Sequence, residues 1–240
     1  MQEGGLDEAI RAAGSVGAQP TRLDLSPPVV PDRCASPSEY ATADGPEISR
    51  EVEDVDLLRA HEYGLLALLF GRAPSADLLD QLAALTGDAS PLGLAHIQLA
   101  QAAAVDPDAV SREFFDLFVG LGRGELLPYA SYYLTGFLHE RPLARVREDL
   151  AWLGLERVEE QGEPEDHVAI LCDVMAGLCA GRFEAGPGAE RAFFDRHLKP
   201  WAARFFADCE TSRHGRFYRA AGTVGRLFME IEAQAFAMES

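Results

Sequence analysis

Glu163-Pro164-Glu165-Asp166-His167-Val168-Ala169-Ile170-Leu171-Cys172-Asp173-Val174-Met175-Ala176-Gly177-Leu178-Cys179 is the stretch that decides the fold class. Proline in a first helical turn lacks only an N–H that the helix leaves unpaired there, and the three acids beside it suit the positive end of the dipole. The stretch therefore predicts a helix starting at about Pro164. Val168, Leu171, Cys172, Met175, Leu178 and Cys179 recur at i, i+3, i+4, i+7 and predict one buried face.

Outward from this segment the same period repeats. Leu57, Leu58, Leu65, Leu66, Leu69 and Phe70 predict a strongly apolar helix ended by Gly71 and Pro74. Shorter helices follow over about 75–85 and 91–104. Asp106-Pro107 is an N-cap with proline at the first helical position, opening a helix through Val119 that Gly120, Gly122 and Gly124 stop. Leu143, Val146, Leu150 and Leu153 carry the next stripe, with Gly154 near its end. A helix from Ala189 breaks at Pro200 and resumes through Trp201, Phe205 and Phe206. The last helix has the stripe Phe217, Ala221, Val224, Phe228, Ile231, Ala235. No sustained strand alternation and no internal repeat occurs. The expected fold is all-α, a single globular domain of about eight to ten helices over residues 51–240.

Residues 1–50 read differently. Six of the 14 prolines lie there (Pro20, Pro27, Pro28, Pro31, Pro37, Pro46), and large apolar residues are sparse. Such a stretch buries too little surface to offset its ordering entropy, which predicts a disordered Pro/Gly/Ala-rich tail, with room for a short helix near Leu6 to Ala13.

The chain's 39 acids against 21 bases give a net charge of −18, so its surface repels phosphate backbones and anionic lipid heads and attracts cations. Nucleic acid is accordingly not an expected partner. Met1 to Gly14 carries acids and no apolar h-region, and the longest apolar run, Leu65 to Phe70, is far short of the roughly 20 residues a bilayer span needs. Cys34, Cys172, Cys179 and Cys209 form no CxxC and are too scattered for a disulfide scaffold. A cytoplasmic protein with no stable membrane insertion is expected.

No catalytic, cofactor or metal set emerges. None of His61, His96, His139, His167, His197 and His214 lies three residues after a glutamate, and no His-Glu-x-x-His occurs. Gly120-Leu121-Gly122-Arg123-Gly124 follows a helix and lacks the Lys-Ser/Thr of a phosphate loop. Cys172, Cys179, Trp201, Phe205, Phe206, Phe217 and Phe228 sit at core spacing. Asp166 beside His167 admits two readings. The acids of 163–166 cap a helix while His167 packs nearby, or the pair contacts a ligand.

Three stretches combine into a resemblance. Tyr129-Ala130-Ser131-Tyr132-Tyr133-Leu134-Thr135-Gly136 leads into Pro142-Leu143; Glu163-Pro164-x-Asp166-His167 follows; then come Phe193-Phe194-x-x-His197-Leu198-x-Pro200-Trp201 and Phe217-Tyr218. This ordered set resembles the TorD/DmsD family of redox-enzyme maturation chaperones over roughly residues 55–235, with the family's Glu-Pro-x-Asp-His motif intact. The resemblance implies a TorD-like helical chaperone, not an enzyme, that binds the twin-arginine leader of a molybdenum-cofactor oxidoreductase precursor until cofactor insertion and export. It places leader contact at Tyr129, Ser131, Tyr132, Glu163, Pro164, Asp166 and His167. Formate dehydrogenase and a DMSO or TMAO reductase are candidate clients.

The charge pattern suits a cationic leader. Residues 140–173 hold ten acids (Glu140, Glu148, Asp149, Glu156, Glu159, Glu160, Glu163, Glu165, Asp166, Asp173) and four arginines (Arg141, Arg145, Arg147, Arg157), a net of −6 around the motif. Carboxylates pair with guanidiniums in forked geometry, and the leader's apolar part suits a groove between helices. These acids also read as a solvated face, which explains most of the chain's charge but less well its concentration here. On this footing Asp166→Ala, or Asp166→Asn with His167→Ala, is expected to weaken leader binding without unfolding the domain. A helical carrier or enzyme for the molybdenum cofactor or a nucleotide, and a general adaptor for a basic protein, stay open as alternatives. A monomer and a dimer exchanging helices through loops such as Gly120 to Pro128 are both compatible with the sequence.

Overall fold

A computed structural model describes residues 21–22, 54–156 and 162–238. The predicted tail lies outside the described residues apart from Thr21–Arg22, and Cys34, Arg157, Glu159 and Glu160 lie outside them too.

The described residues form ten α-helices and one π-helical turn: α1 (Asp54–Gly71), α2 (Ala76–Ala83), α3 (Pro91–Ala103), α4 (Pro107–Phe114), the π turn (Phe115–Val119), α5 (Ala130–Thr135), α6 (Arg141–Trp152), α7 (Val168–Cys179), α8 (Ala189–His197), α9 (Ala202–Glu210) and α10 (Phe217–Met238). The only ladder among them is a two-residue parallel pairing of β1 (Thr21–Arg22) with β2 (Leu155–Glu156). Side-chain caps set several helix starts. Ser75 Oγ accepts from Leu78 N at 3.3 Å, Ser90 Oγ from Gly93 N at 3.0 Å, and Asp106 Oδ1 from Asp108 N at 3.2 Å, each satisfying an N–H the helix leaves free.

Helix α7 is the hub. Every residue in it except Asp173 is buried, so the single buried face expected from its spacing is instead burial all round. A helix apolar on every side belongs in a core, and α7 packs along α1 on one side and against α8 on another. Helices α9 and α10 pack against each other, and α10 also covers α3. Their contact is close because Gly222 and Gly225 face α9. A Cβ on Gly225 would sit 2.5 Å from Phe206 Cδ1, and one on Gly222 would sit 2.8 Å from Cys209 Cβ.

Phe70 anchors the core edge-on to four rings, with centroids 5.7 Å away at Phe118, 5.5 Å at Phe205, 5.3 Å at Phe206 and 5.7 Å at Tyr218. Such edge-to-face contacts add to the burial of the rings themselves. The helix opened by Asp106 does reach Val119, but its last turn widens: Gly120 N donates to Phe115 O at 2.7 Å, and Gly120 ends it at φ +62°. That turn buries Leu117 and leaves Phe115 and Val119 partly exposed.

The stripe of α10 departs from its predicted course near its end. Phe217, Ala221, Val224 and Phe228 are buried, but Ile231 is 45% exposed and Glu232 and Phe236 are buried in its stead. A stripe read at 3.5 residues per turn drifts off the contact face of a straight helix, and Arg59 and Tyr63 of α1 draw Glu232 inward. Arg59 Nε and Nη2 donate to its two carboxylate oxygens at 2.8 Å each, and Tyr63 OH donates at 2.9 Å.

Candidate binding site

The Glu-Pro-x-Asp-His segment does not open α7 in the way its proline suggests. Pro164 O accepts from His167 N at 3.0 Å in a turn, and the helix begins at Val168, capped by His167, whose Nδ1 accepts from Ala169 N at 3.1 Å. A ring nitrogen that accepts must be unprotonated, so the imidazole proton sits on Nε2. Asp166 caps a different helix. Its Oδ2 accepts from Ser131 N at 2.8 Å and its backbone oxygen from Ala130 N at 3.0 Å, both at the start of α5. Val168 N donates to Pro128 O at 2.8 Å, and Tyr129 and His167 form an isolated antiparallel bridge. Two segments some 35 residues apart thus cross and supply each other's backbone partners.

Six of the seven residues expected at the site meet in this crossing, and Tyr132 lies one residue beyond it on α5, against Arg123 and Tyr133. The Tyr129 ring stands edge-on to His167 at 5.1 Å, and its hydroxyl donates to Glu163 Oε2. Burial, with Glu163 adding to it, raises the Tyr129 pKa well above the usual phenol value and keeps the proton on oxygen. Glu163 is exposed, Pro164 half-buried, and Ser131, Asp166 and His167 are buried. Tyr132 is half-buried, with the Arg123 guanidinium 5.2 Å above its ring and Arg123 Nη2 donating to its hydroxyl at 2.7 Å.

Two atoms in the crossing stand out. Ser131 Oγ and Asp166 Oδ1 are buried without a hydrogen-bond partner, the only such side-chain atoms among the described residues. Buried acceptors in native structures are almost always paired, so the pair marks acceptor and donor capacity that the fold itself leaves unused. Because Asp166 and His167 both hold backbone groups, removing them touches the fold as well as a ligand.

Glu165, the variable position of the motif, is buried next to Asp166 although its spacing gave no hint of it. It is 6% exposed and paired with Arg147 of α6. A sequence signal existed only in the local excess of acids. The histidine of the third stretch is structural: His197 Nε2 lies 2.5 Å from Asp149 Oδ2, Arg196 Nη1 donates to Asp149 Oδ1 at 3.0 Å, and the group ties α6 to α8.

An apolar groove of about 490 Å³ runs between α1, α2 and α7, lined by Leu57, Gly64, Leu65, Leu78, Leu82 and Ala176. A Cβ built on Gly64 meets nothing within 4 Å, so the groove is open there. A more polar cleft of about 380 Å³ lies beside α5, where Tyr133 OH donates to Asp208 Oδ2 at 2.7 Å. Burial pushes the thiols of Cys172 and Cys209 well above the usual range and that of Cys179 up to about 12, so none is a thiolate at neutral pH. No group of three or more metal-ligating side chains occurs among the described residues, nor a helix long and apolar enough to cross a membrane.

Comparison with known proteins follows the same outline. Residues 76–207 match the model of the family described as nitrate reductase delta subunit. The chain is 32% identical over 141 residues to Chaperone protein TorD of Aliivibrio fischeri, covering 54% of this chain and 65% of that one. It is 27% identical over 190 residues to Chaperone protein TorD of Vibrio cholerae, covering 75% and 83%. Among solved structures, a protein assigned to redox enzyme maturation from Archaeoglobus fulgidus superposes with a TM-score of 0.51 at 22% identity, over 72% of this chain and 94% of that one. At that identity the likeness concerns the fold alone.

Proposed function

Because the chain belongs to the nitrate reductase delta subunit family and has TorD chaperones among its relatives, we propose that it is a chaperone of redox-enzyme maturation that binds the twin-arginine leader of a molybdoenzyme precursor. It holds that precursor in the cytoplasm until the cofactor is inserted. The observation that carries the reading is the crossing of 128–131 with 164–168, which sets Tyr129, Glu163 and Asp166 together before α7, with Glu165 next to them in the chain and Tyr132 one residue beyond the crossing on α5. Aromatic faces and carboxylates are the two partners a guanidinium binds best. The apolar part of the leader suits the α1/α2/α7 groove as an amphipathic helix. The groove shares α7 with the motif, which stands at that helix's start while Asp173, Ala176 and Ala180 line the groove further along.

The test is a calorimetric titration of the full chain with a synthetic peptide bearing Arg-Arg before an apolar stretch, beside a copy with both arginines replaced by glutamine. The arginine peptide is expected to bind one to one, at least roughly tenfold tighter than its copy, and less tightly as salt rises. Equal affinity for the two peptides, or binding of neither, overturns leader recognition. Affinity flat across ionic strength would assign recognition to the apolar stretch alone.

A further inference from the structure

Arg147 and Glu165 form an unequal pair. The acid is enclosed, with its side chain 8% exposed, while the base is 51% exposed and reaches in from α6 to place Nε and Nη2 each 2.9 Å from Glu165 Oε2. A buried carboxylate needs a cation or suffers its full desolvation cost, but the cation it needs here faces solvent. One guanidinium can therefore be exchanged for another without uncovering the acid. The neighbouring residue supplies a second, independent sign of unused binding capacity: Asp166, 1% exposed, keeps Oδ1 without a partner. At Tyr132 the same theme recurs, with the exposed Arg123 lying over the ring.

We propose that Glu165 is a guanidinium seat of the binding site and that Arg147 is its internal occupant, displaced by an arginine of the incoming peptide. The proposal rests on the leader-binding reading and deepens it by naming the residue that takes one arginine. The exchange conserves charge and hydrogen-bond geometry, so an arginine competes on equal terms with Arg147 where a lysine, with its compact ammonium, forfeits the fork. The chain's own arginine thus sets a threshold that selects for a guanidinium.

The test uses the full chain with the Arg-Arg peptide and a Lys-Lys copy. Arg147→Ala empties the seat and is expected to tighten Arg-Arg peptide binding roughly tenfold, and the peptide raises the melting temperature of this variant more than that of the wild type. Glu165→Gln is expected to weaken binding roughly tenfold and to level the preference for Arg-Arg over Lys-Lys. Arg147→Lys keeps the charge and so preserves folding if the alanine variant does not, and it too is expected to tighten binding. A purely structural Arg147 would lower stability in the alanine variant and leave affinity where it was, or weaken it. That outcome, with the wild type binding normally, overturns the seat and leaves leader recognition standing. Failure of the wild type and every variant to bind removes leader recognition itself, and the seat with it.

Discussion

At the contact of α1 with α10, Glu232 receives two nitrogens of Arg59 and the hydroxyl of Tyr63, and Arg59 also reaches Asp56 at 2.9 Å and lies over Phe236 at 4.8 Å. At the head of α7, Asp166 is buried to the same degree, yet one of its oxygens takes a single backbone N–H and the other has no partner. The first cluster is saturated from within the chain, the second is not. Saturation suits a clamp between helices, where any open valence is a cost. Open valence beside half-buried aromatic rings and an exposed acid suits a place that receives something.

The contrast breaks first at the clamp. Glu232→Ala leaves the largely buried Arg59 with Asp56 alone and the Tyr63 hydroxyl without its acceptor, and is expected to cost about 3 kcal/mol, read by urea unfolding, with peptide affinity unchanged in the folded fraction. At the other cluster, Asp166→Ala leaves Ser131 N–H unpaired and is expected to cost about 2–3 kcal/mol while also weakening peptide binding. Loss of stability with untouched affinity at both positions would erase the distinction between them.

A third expectation concerns acid. Burial holds His167 neutral and pushes its pKa down from 6.5 to about 3. The unfolded chain takes up a proton below pH 6.5 that the native chain refuses, so this contribution is full above pH 6.5 and is lost as pH falls toward 3. Between about pH 7 and about pH 5 the loss amounts to about 2 kcal/mol. His167→Asn keeps a capping acceptor without titrating in this range and is expected to flatten that slope in urea unfolding at the two pH values. His96 acts with the opposite sign. The hydrogen bond His96 donates to the Glu62 carboxylate raises its pKa, so its contribution is present below pH 6.5 and fades as pH rises through the raised value. A wild type and a His167→Asn variant of identical slope would show that the cap is not the titrating group.

The smallest effect separates stability from binding. Gly64 sits inside α1 with open space where a side chain would begin, so Gly64→Ala is expected to stabilise by about 1 kcal/mol. Gly64→Leu keeps most of that gain and fills the groove, and should abolish the apolar contribution to peptide binding while the melting temperature rises. Unaltered affinity in the leucine variant would remove the groove from the site.

Periodicity made most of the helices legible, because Leu66, Leu69, Phe70, Val146 and Phe228 are buried where their spacing places them. It missed α5, whose six residues are too short to show a period. It misread the beginning of α7, where Pro164 and its acids belong to a turn that serves another segment. Helix-start chemistry is local, whereas Asp166 caps a helix lying 35 residues earlier, and no local rule reaches that far. The exposure of Leu57 and Leu58, at 41% and 65%, was hidden for the same reason. Apolar residues on α1 exceed what its described neighbours cover; Leu57 lines the groove, whereas Leu58 lies outside its lining. The motif residues were found by resemblance. Glu165 escaped it, being the position that the family pattern leaves free.

The crossing of 128–131 with 164–168 also has a consequence in time. The amides of Ala130, Ser131 and Val168 are each bonded across it rather than within their own helices. Their hydrogen exchange therefore reports the opening of this junction alone, while amides in the middle of α7 report unfolding of the core. The gap between those two exchange rates measures how firmly the junction is held relative to the core.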